Sequence, residues 1–186
     1  MAKISFKNYE EYGQKLQAIE SYFKSDKPFE EAVAAGAAVV ADEIRKNIEA
    51  LPEEDWHRLQ GHEGSKFFMG PPQRFLGVPH THKEALKDGF GISPVRRDKR
   101  GVINVKLGFD GYADEVTKSK AYPNGLPTPL IARAVESGSS VRAKHPFIRP
   151  AVNSKRWEAI EAMDEVIEKK FAVIQGVMME EWLGDE

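Results

Sequence analysis

The sequence predicts an α+β fold: a small antiparallel sheet, a hairpin at about 90–109, packed with an N-terminal helix at about 28–50 and a long C-terminal helix at about 153–183. Three observations carry this. Two long runs repeat apolar residues every three or four positions, the period of a helix with one buried face. Two shorter runs between them alternate apolar and polar residues around a basic turn, the pattern of a hairpin. No internal repeat or low-complexity tract divides the chain, so residues 1–186 read as a single domain in which helices cover one small sheet.

The elements follow in order. Residues 8–22 predict a short helix, with Tyr9, Tyr12, Leu16, Ile19 and Phe23 at helical spacing. In the helix at 28–50, Phe29, Val33, Ala37, Val40, Ile44 and Ile48 form one stripe. Ser25 or Asp26 suits its cap, Pro28 its first turn, and Glu30 and Glu31 its positive end. Ala34, Ala35, Gly36, Ala37 and Ala38 make its middle smooth enough for close approach by another element, and Pro52 stops it. Residues 51–80, broken by glycines and prolines, read as a loop insertion. Phe67, Phe68, Met69, Phe75 and Leu76 predict that it packs on the core or on a neighbouring subunit.

Thr81 with Glu84 reads as a capping box for a short helix that Gly89 ends. Phe90–Val95 and Gly101–Phe109 read as strands, and "RRDKRG" between them as the hairpin tip. A second loop covers 110–127. Thr128 and Pro129 start a two-turn helix that Gly138 terminates in a left-handed conformation. The last helix is expected to begin near Asn153 or Ser154 and to reach Leu183. Its stripe is Trp157, Ile160, Met163, Ile167, Phe171, Ile174, Met178 and Trp182, long enough that one end is suited to a partner.

Composition narrows the function. A chain with 41% hydrophobic and 30% charged residues has a soluble globular balance, and a net charge of −2 gives no global field to recruit nucleic acid or an anionic membrane. The absence of cysteine excludes disulfides and thiolate metal sites. The opening "MAKISFKNYEEYGQ" lacks the apolar core of a secretory signal, and the longest apolar run, Ala32–Ala41, is about half a membrane span. A cytosolic chain is expected.

Catalytic and metal signals are weak. His57, His62, His80 and His82 are close enough in sequence to gather at a zinc ion with Glu63. Their spacing matches no closed metal motif, and scattered surface histidines account for them, so no metal or other cofactor is expected. The carboxylates lie mostly in helical surface runs, where solvation explains them. No G-x-S-x-G, H-E-x-x-H or G-x-G-x-x-G occurs, and Ser137–Ser140 lacks the lysine of a phosphate loop. A non-enzyme is expected. Arg96, Arg97, Lys99 and Arg100 form one basic cluster; Arg142, Lys144, Arg149, Lys155 and Arg156 form another. The two clusters, 96–100 and 142–156, support an alternative reading as a nucleic-acid-binding module. Sparse aromatic interleaving and the slightly acidic whole favour a solubilising hairpin tip and helix start paired with acids.

The most informative stretch is "AVESGSSVRAKHPFIRPAVNSKRW", residues 134–157. Gly138 permits a sharp reversal. Pro146 and Pro150 restrict themselves and push His145 and Arg149 toward extended conformations. Phe147 and Ile148 are then pinned in the core while Arg149 points elsewhere, and Val152 is placed to staple the start of the helix. A stiff clamp of this kind holds a helix at a fixed angle, as a subunit that must fit its copies requires.

The same residues resemble the signature of the head–tail joining and tail-completion proteins of long-tailed phages. Ala132, Val135, Glu136, Gly138 and Ser139 match the first part of that signature, and Pro146, Phe147, Arg149, Pro150 and Ala151 the second. "ALKDGFGI", through Leu86, Lys87, Asp88 and Phe90, resembles the family's first strand, "GVINVKLGF" its second, and the helix at 28–50 its N-terminal helix. Ser137 stands where an aromatic is usual, Lys83 and Glu84 where Thr-Gly is common, and 51–80 is an insertion. The resemblance covers roughly 28–50 and 83–175. It implies a structural virion component of the phage or prophage neck and tail, without enzymatic activity. Its partners would be copies of itself, the connector and the tail terminator, and its place the host bacterial cytoplasm during assembly. It makes Glu136, Gly138, Pro146, Phe147, Arg149 and Pro150 architectural residues.

Overall fold

The computed structural model describes residues 27–55, 74–113, 120–140 and 142–183, with isolated helical positions at 13, 14, 17, 20 and 21 and side chains up to Ala172. The apolar positions expected on a helix at 8–22, the caps Ser25 and Asp26, and His57, His62, Phe67, Phe68 and Met69 lie outside the described residues. The fold is α+β. Among the described residues it holds helices α1 (Lys27–Glu49), α2 (His80–Gly89), α3 (Thr128–Ser137) and α4 (Ile148–Leu183). Six short strands complete it: β1 (Glu53–Glu54), β2 (Val78–Pro79), β3 (Phe90–Ile92), β4 (Arg96–Arg97), β5 (Ile103–Asn104) and β6 (Leu107–Phe109).

α1 and α4 pack antiparallel as the backbone of the molecule. Lys170 on α4 meets Glu31 on α1 at 2.7 Å, and at the other end the Asn47 amide donates to the Phe147 carbonyl at 3.0 Å. Between these ties Gly36 faces Met163 and the Ala159 carbonyl so closely that a Cβ there would stand 2.7–2.9 Å from both. The small-residue run expected in α1 is thus where α4 approaches. It also rotates the buried face. Ala32, Gly36, Ala37, Ala41, Ile44 and Ile48 are buried, while Phe29 is exposed and Val33 only partly covered.

α4 departs from expectation in two ways. It begins at Ile148, not near Asn153, and Arg149 and Pro150 are helical. Val152 lies exposed in its second turn and staples nothing. The face packed on α1 is made of Ala151, Ala159 and the half-covered Met163 and Val166. Trp157 and Ile160 lie on the other side, 69% and 37% exposed. The helix therefore carries two apolar faces, and close approach to Gly36 selected the one with small residues.

The hairpin is an interrupted ladder. β3 pairs antiparallel with β6 (Phe90 opposite Phe109), and β4 with β5 (Arg96 opposite Asn104). Pro94 has no N–H to continue the ladder. Ser93 bridges the gap: its N–H donates to the Lys106 carbonyl at 2.8 Å, and its Oγ accepts from the Lys106 N–H at 2.9 Å. The turn itself is Asp98–Gly101, closed by the Asp98 carboxylate.

A parallel pairing of β1 with β2 was not expected; it ties the two ends of the 51–80 insertion together. Leu51, Phe75, Val78 and Pro79 are buried, so these ends pack on the core. Thr81 forms no cap: α2 starts at His80 directly after β2, set by the extended Pro79, with no side-chain capping bond. Ile44, Ile48, Leu86, Ile131, Val135 and Phe147 centre one core beneath the hairpin. Among the described residues, no helix is long and apolar enough to cross a membrane.

Candidate interface at the head of the last helix

An α-helix leaves its first four N–H groups without intrahelical acceptors. For α4 these belong to Phe147, Ile148, Arg149 and Pro150. Pro150 has no N–H. The other three donate to a single side chain from the preceding helix: Phe147 and Ile148 to Glu136 Oε2 at 2.7 and 2.8 Å, and Arg149 to Glu136 Oε1 at 3.1 Å. Every donor at the helix start is accounted for. A proline at the third helical position costs nothing, because an N–H there would have no intrahelical acceptor. A negative charge there also complements the positive end of a 36-residue helix.

Glu136 reaches this position because the chain reverses between α3 and α4. Gly138, the residue after α3, takes φ 76° and ψ 167°. That is a positive-φ extended conformation open to glycine, not the left-handed helical one expected. Ser139 and Arg142 then exchange backbone hydrogen bonds, and the His145 N–H returns to the Val135 carbonyl at 2.8 Å. Pro146 follows and leads into Phe147, which lies in the core, 1% exposed. The Phe147 ring meets Phe109 edge-on at 5.9 Å, and Phe109 meets Phe90 at 5.2 Å, so the hairpin braces the clamp. The Arg149 side chain stays in solvent, with its Nε 3.7 Å from Glu136. A surface notch of about 270 Å³ opens beside the clamp between Asn47–Pro52 and His145–Pro150.

The reversal is anchored from behind. Arg142, expected in a basic surface cluster, is buried. Its Nη2 lies 2.7 Å from His82 Nδ1 and its guanidinium sits over the Phe75 ring at 5.7 Å. Burial pulls the Arg142 pKa below its ordinary value, with the Glu54 charge acting against it. His82 is buried and held at a pKa of about 4, first by desolvation and then by the Arg142 charge. The Ala143 N–H donates to the Phe75 carbonyl at 2.8 Å, and His145 Nε2 contacts the Leu76 carbonyl. The clamp is thus fastened to the end of the insertion.

The other sequence candidates are dispersed. His80 and His82 lie two positions apart on a helix, not on a strand, so their rings face different ways. His80 is exposed and 3.4 Å from Glu53. Among the described residues, no three His, Asp or Glu side chains gather as metal ligands. Glu53 is held below the ordinary carboxylate range by its hydrogen bonds to Lys83 and His80. Lys83, buried, also donates to the Leu51 carbonyl at 3.1 Å. Lys155 pairs with Glu158, and Arg156 stacks on Trp157 at 5.6 Å. Arg96, Arg97, Lys99 and Arg100 are all exposed at the hairpin tip.

The architectural residues expected from sequence, Glu136, Gly138, Pro146, Phe147, Arg149 and Pro150, do come together at one point. Sequence reasoning missed Asn47, Arg142 and His82 as their supports. Asn47 sits on the helix face toward α4, and among the charged residues Arg45, Lys46 and Glu49 its polarity gave no signal. The chemistry of the assembled site is positional: both Glu136 oxygens accept from backbone N–H groups at the start of α4. Compared with known proteins, the chain matches no family model, no curated protein and no solved structure.

Proposed function

We propose that this chain is a non-enzymatic structural subunit of a phage or prophage neck and tail, joining or completing the tail at the head–tail interface. The observation that carries the assembly reading is the Glu136 clamp, three N–H groups on one carboxylate, which fixes the angle of a helix with an exposed second apolar face. Large exposed aromatic side chains on a rigid element are what protein interfaces use as anchors. The phage setting rests on the resemblance of residues 132–151 to the tail-completion signature. In this reading the partners are copies of the chain, the connector and the tail terminator, and the chain resides in the virion neck or tail.

The test is depletion. Electron microscopy of particles made without this chain is expected to show filled heads and separate tails, or tails with defective ends. Normal infectious particles would overturn the proposal. A second reading, nucleic-acid binding, is favoured by the exposed cations of the hairpin tip; in the other cluster Arg142 is buried and Lys155 pairs with Glu158, while Lys144, Arg149 and Arg156 are exposed. It predicts binding to duplex DNA that weakens steeply with salt and is lost on reversing Arg96, Arg97, Lys99 and Arg100.

A further inference from the structure

We propose that the chain binds a second copy of itself head to tail, with the hairpin tip of one copy lying on the outer face of α4 of the next. This rests on the assembly reading and deepens it by naming the partner and both surfaces.

The outer face is defined by what α4 does on its other side. Ala151, Ala159 and Met163 turn toward α1, which places Trp157, Ile160, Glu161, Asp164 and Glu168 away from it. Trp157 and Ile160 are exposed apolar anchors at the clamped end of the helix. The three acids are exposed, and among the described residues they form no ion pair. Their neighbours differ: Glu158 pairs with Lys155 and Glu165 with Lys169. The outer face is therefore an apolar patch, with Arg156 over one side of the Trp157 ring, that runs into acids without an ion pair among the described residues, held on a helix whose angle is fixed.

The tip has the complementary character. Arg96 and Arg97 at the end of β4 and Lys99 and Arg100 in the turn are exposed. Its one acid, Asp98, is committed to the turn, accepting from the Arg100 and Val102 N–H groups at 2.8 and 2.9 Å. Val102 beside it is 55% exposed, an apolar contact for Trp157 or Ile160. A two-stranded ribbon is narrow enough to lie along a helix, and arginine stacks readily on an indole face. Among the described residues no ion pair joins Arg96, Lys99 or Arg100 to Glu161, Asp164 or Glu168, so the match is available between chains. Because two different patches meet, the contact is heterologous and repeats into a ring or a filament.

The test uses the full chain in analytical ultracentrifugation from micromolar to millimolar concentration. The wild type is expected to self-associate, less so as salt rises. A tip variant, R96S/R97S/K99S/R100S, and a face variant, W157S/E161Q/D164N/E168Q, change exposed side chains only; circular dichroism checks that both stay folded. Each alone is expected to associate at least about tenfold more weakly. Mixed in equal amounts they leave one sound tip and one sound face, so a discrete 1:1 complex is expected. A wild type that stays monomeric, association that neither variant weakens, or variants that do not pair on mixing would each overturn the proposal. So would a monomeric wild type whose tip instead binds added duplex DNA. A monomeric wild type together with defective particles on depletion would remove this inference and leave the assembly reading standing.

Discussion

Replacing Glu136 by alanine removes the acceptor of three backbone N–H groups at once. Hydrogen bonds to a charged acceptor contribute roughly 1.5 kcal/mol each. The Phe147 N–H is buried and stays unsatisfied, whereas those of Ile148 and Arg149 are partly buried and recover some water. The expected loss is about 3 kcal/mol. At the size of this chain that lowers Tm by about 6–12 °C. Glu136→Gln keeps one acceptor oxygen and no charge, and is expected to cost about 2 kcal/mol. Arg149→Ala is the control. Its guanidinium is largely in solvent at 3.7 Å from the carboxylate, so its removal is expected to cost less than about 1 kcal/mol. Urea unfolding followed by circular dichroism measures all three. A Gln variant within about 0.5 kcal/mol of wild type would refute the capping argument. An Arg149→Ala cost equal to that of Glu136→Ala would move the effect from the backbone to the side-chain ion pair.

Three further outcomes are expected. Gly36→Ala should destabilise by about 1–2 kcal/mol in urea melts despite the better helix propensity of alanine, because the Ala159 carbonyl cannot yield as the Met163 side chain can. His82 titrates near 4 when folded and near 6.5 when unfolded, so the unfolded chain binds the proton first; its contribution is complete above about pH 6.5 and is lost as pH falls through about 4, a loss of about 3 kcal/mol that His82→Gln should flatten in a stability–pH profile. Trp157→Ala should change stability by less than about 0.5 kcal/mol, which the same unfolding assay would show, since that side chain lies outside the core.

The extent of α1 was legible because its signals agree: an apolar period, a proline in the first turn and Pro52 just beyond its end. The hairpin was legible from alternation around a charged turn. The convergence of Glu136, Gly138 and the Pro146–Pro150 segment was legible as a clamp, yet not its working. Pro150 reads locally as a helix breaker, and only an acceptor 11 to 13 residues earlier in the chain makes it an interior residue of the first turn. The inner face of α4 was illegible for a related reason. Two apolar faces satisfy the same period, and the choice between them belongs to Gly36 on another helix. Thr81 and Glu84 spell a capping box, but Pro79 starts the helix two residues earlier and places Thr81 inside it. Arg142 and His82 look like surface residues in sequence; each is buried against the other by the chain reversal that Gly138 creates.

The proposed role makes this chain a built-in part of a virion rather than an agent acting upon one. Immunogold labelling of purified particles, with quantification of the chain per particle, tests it most directly. A small fixed copy number is expected, with label confined to the junction of head and tail. Absence of the chain from purified infectious particles would contradict it.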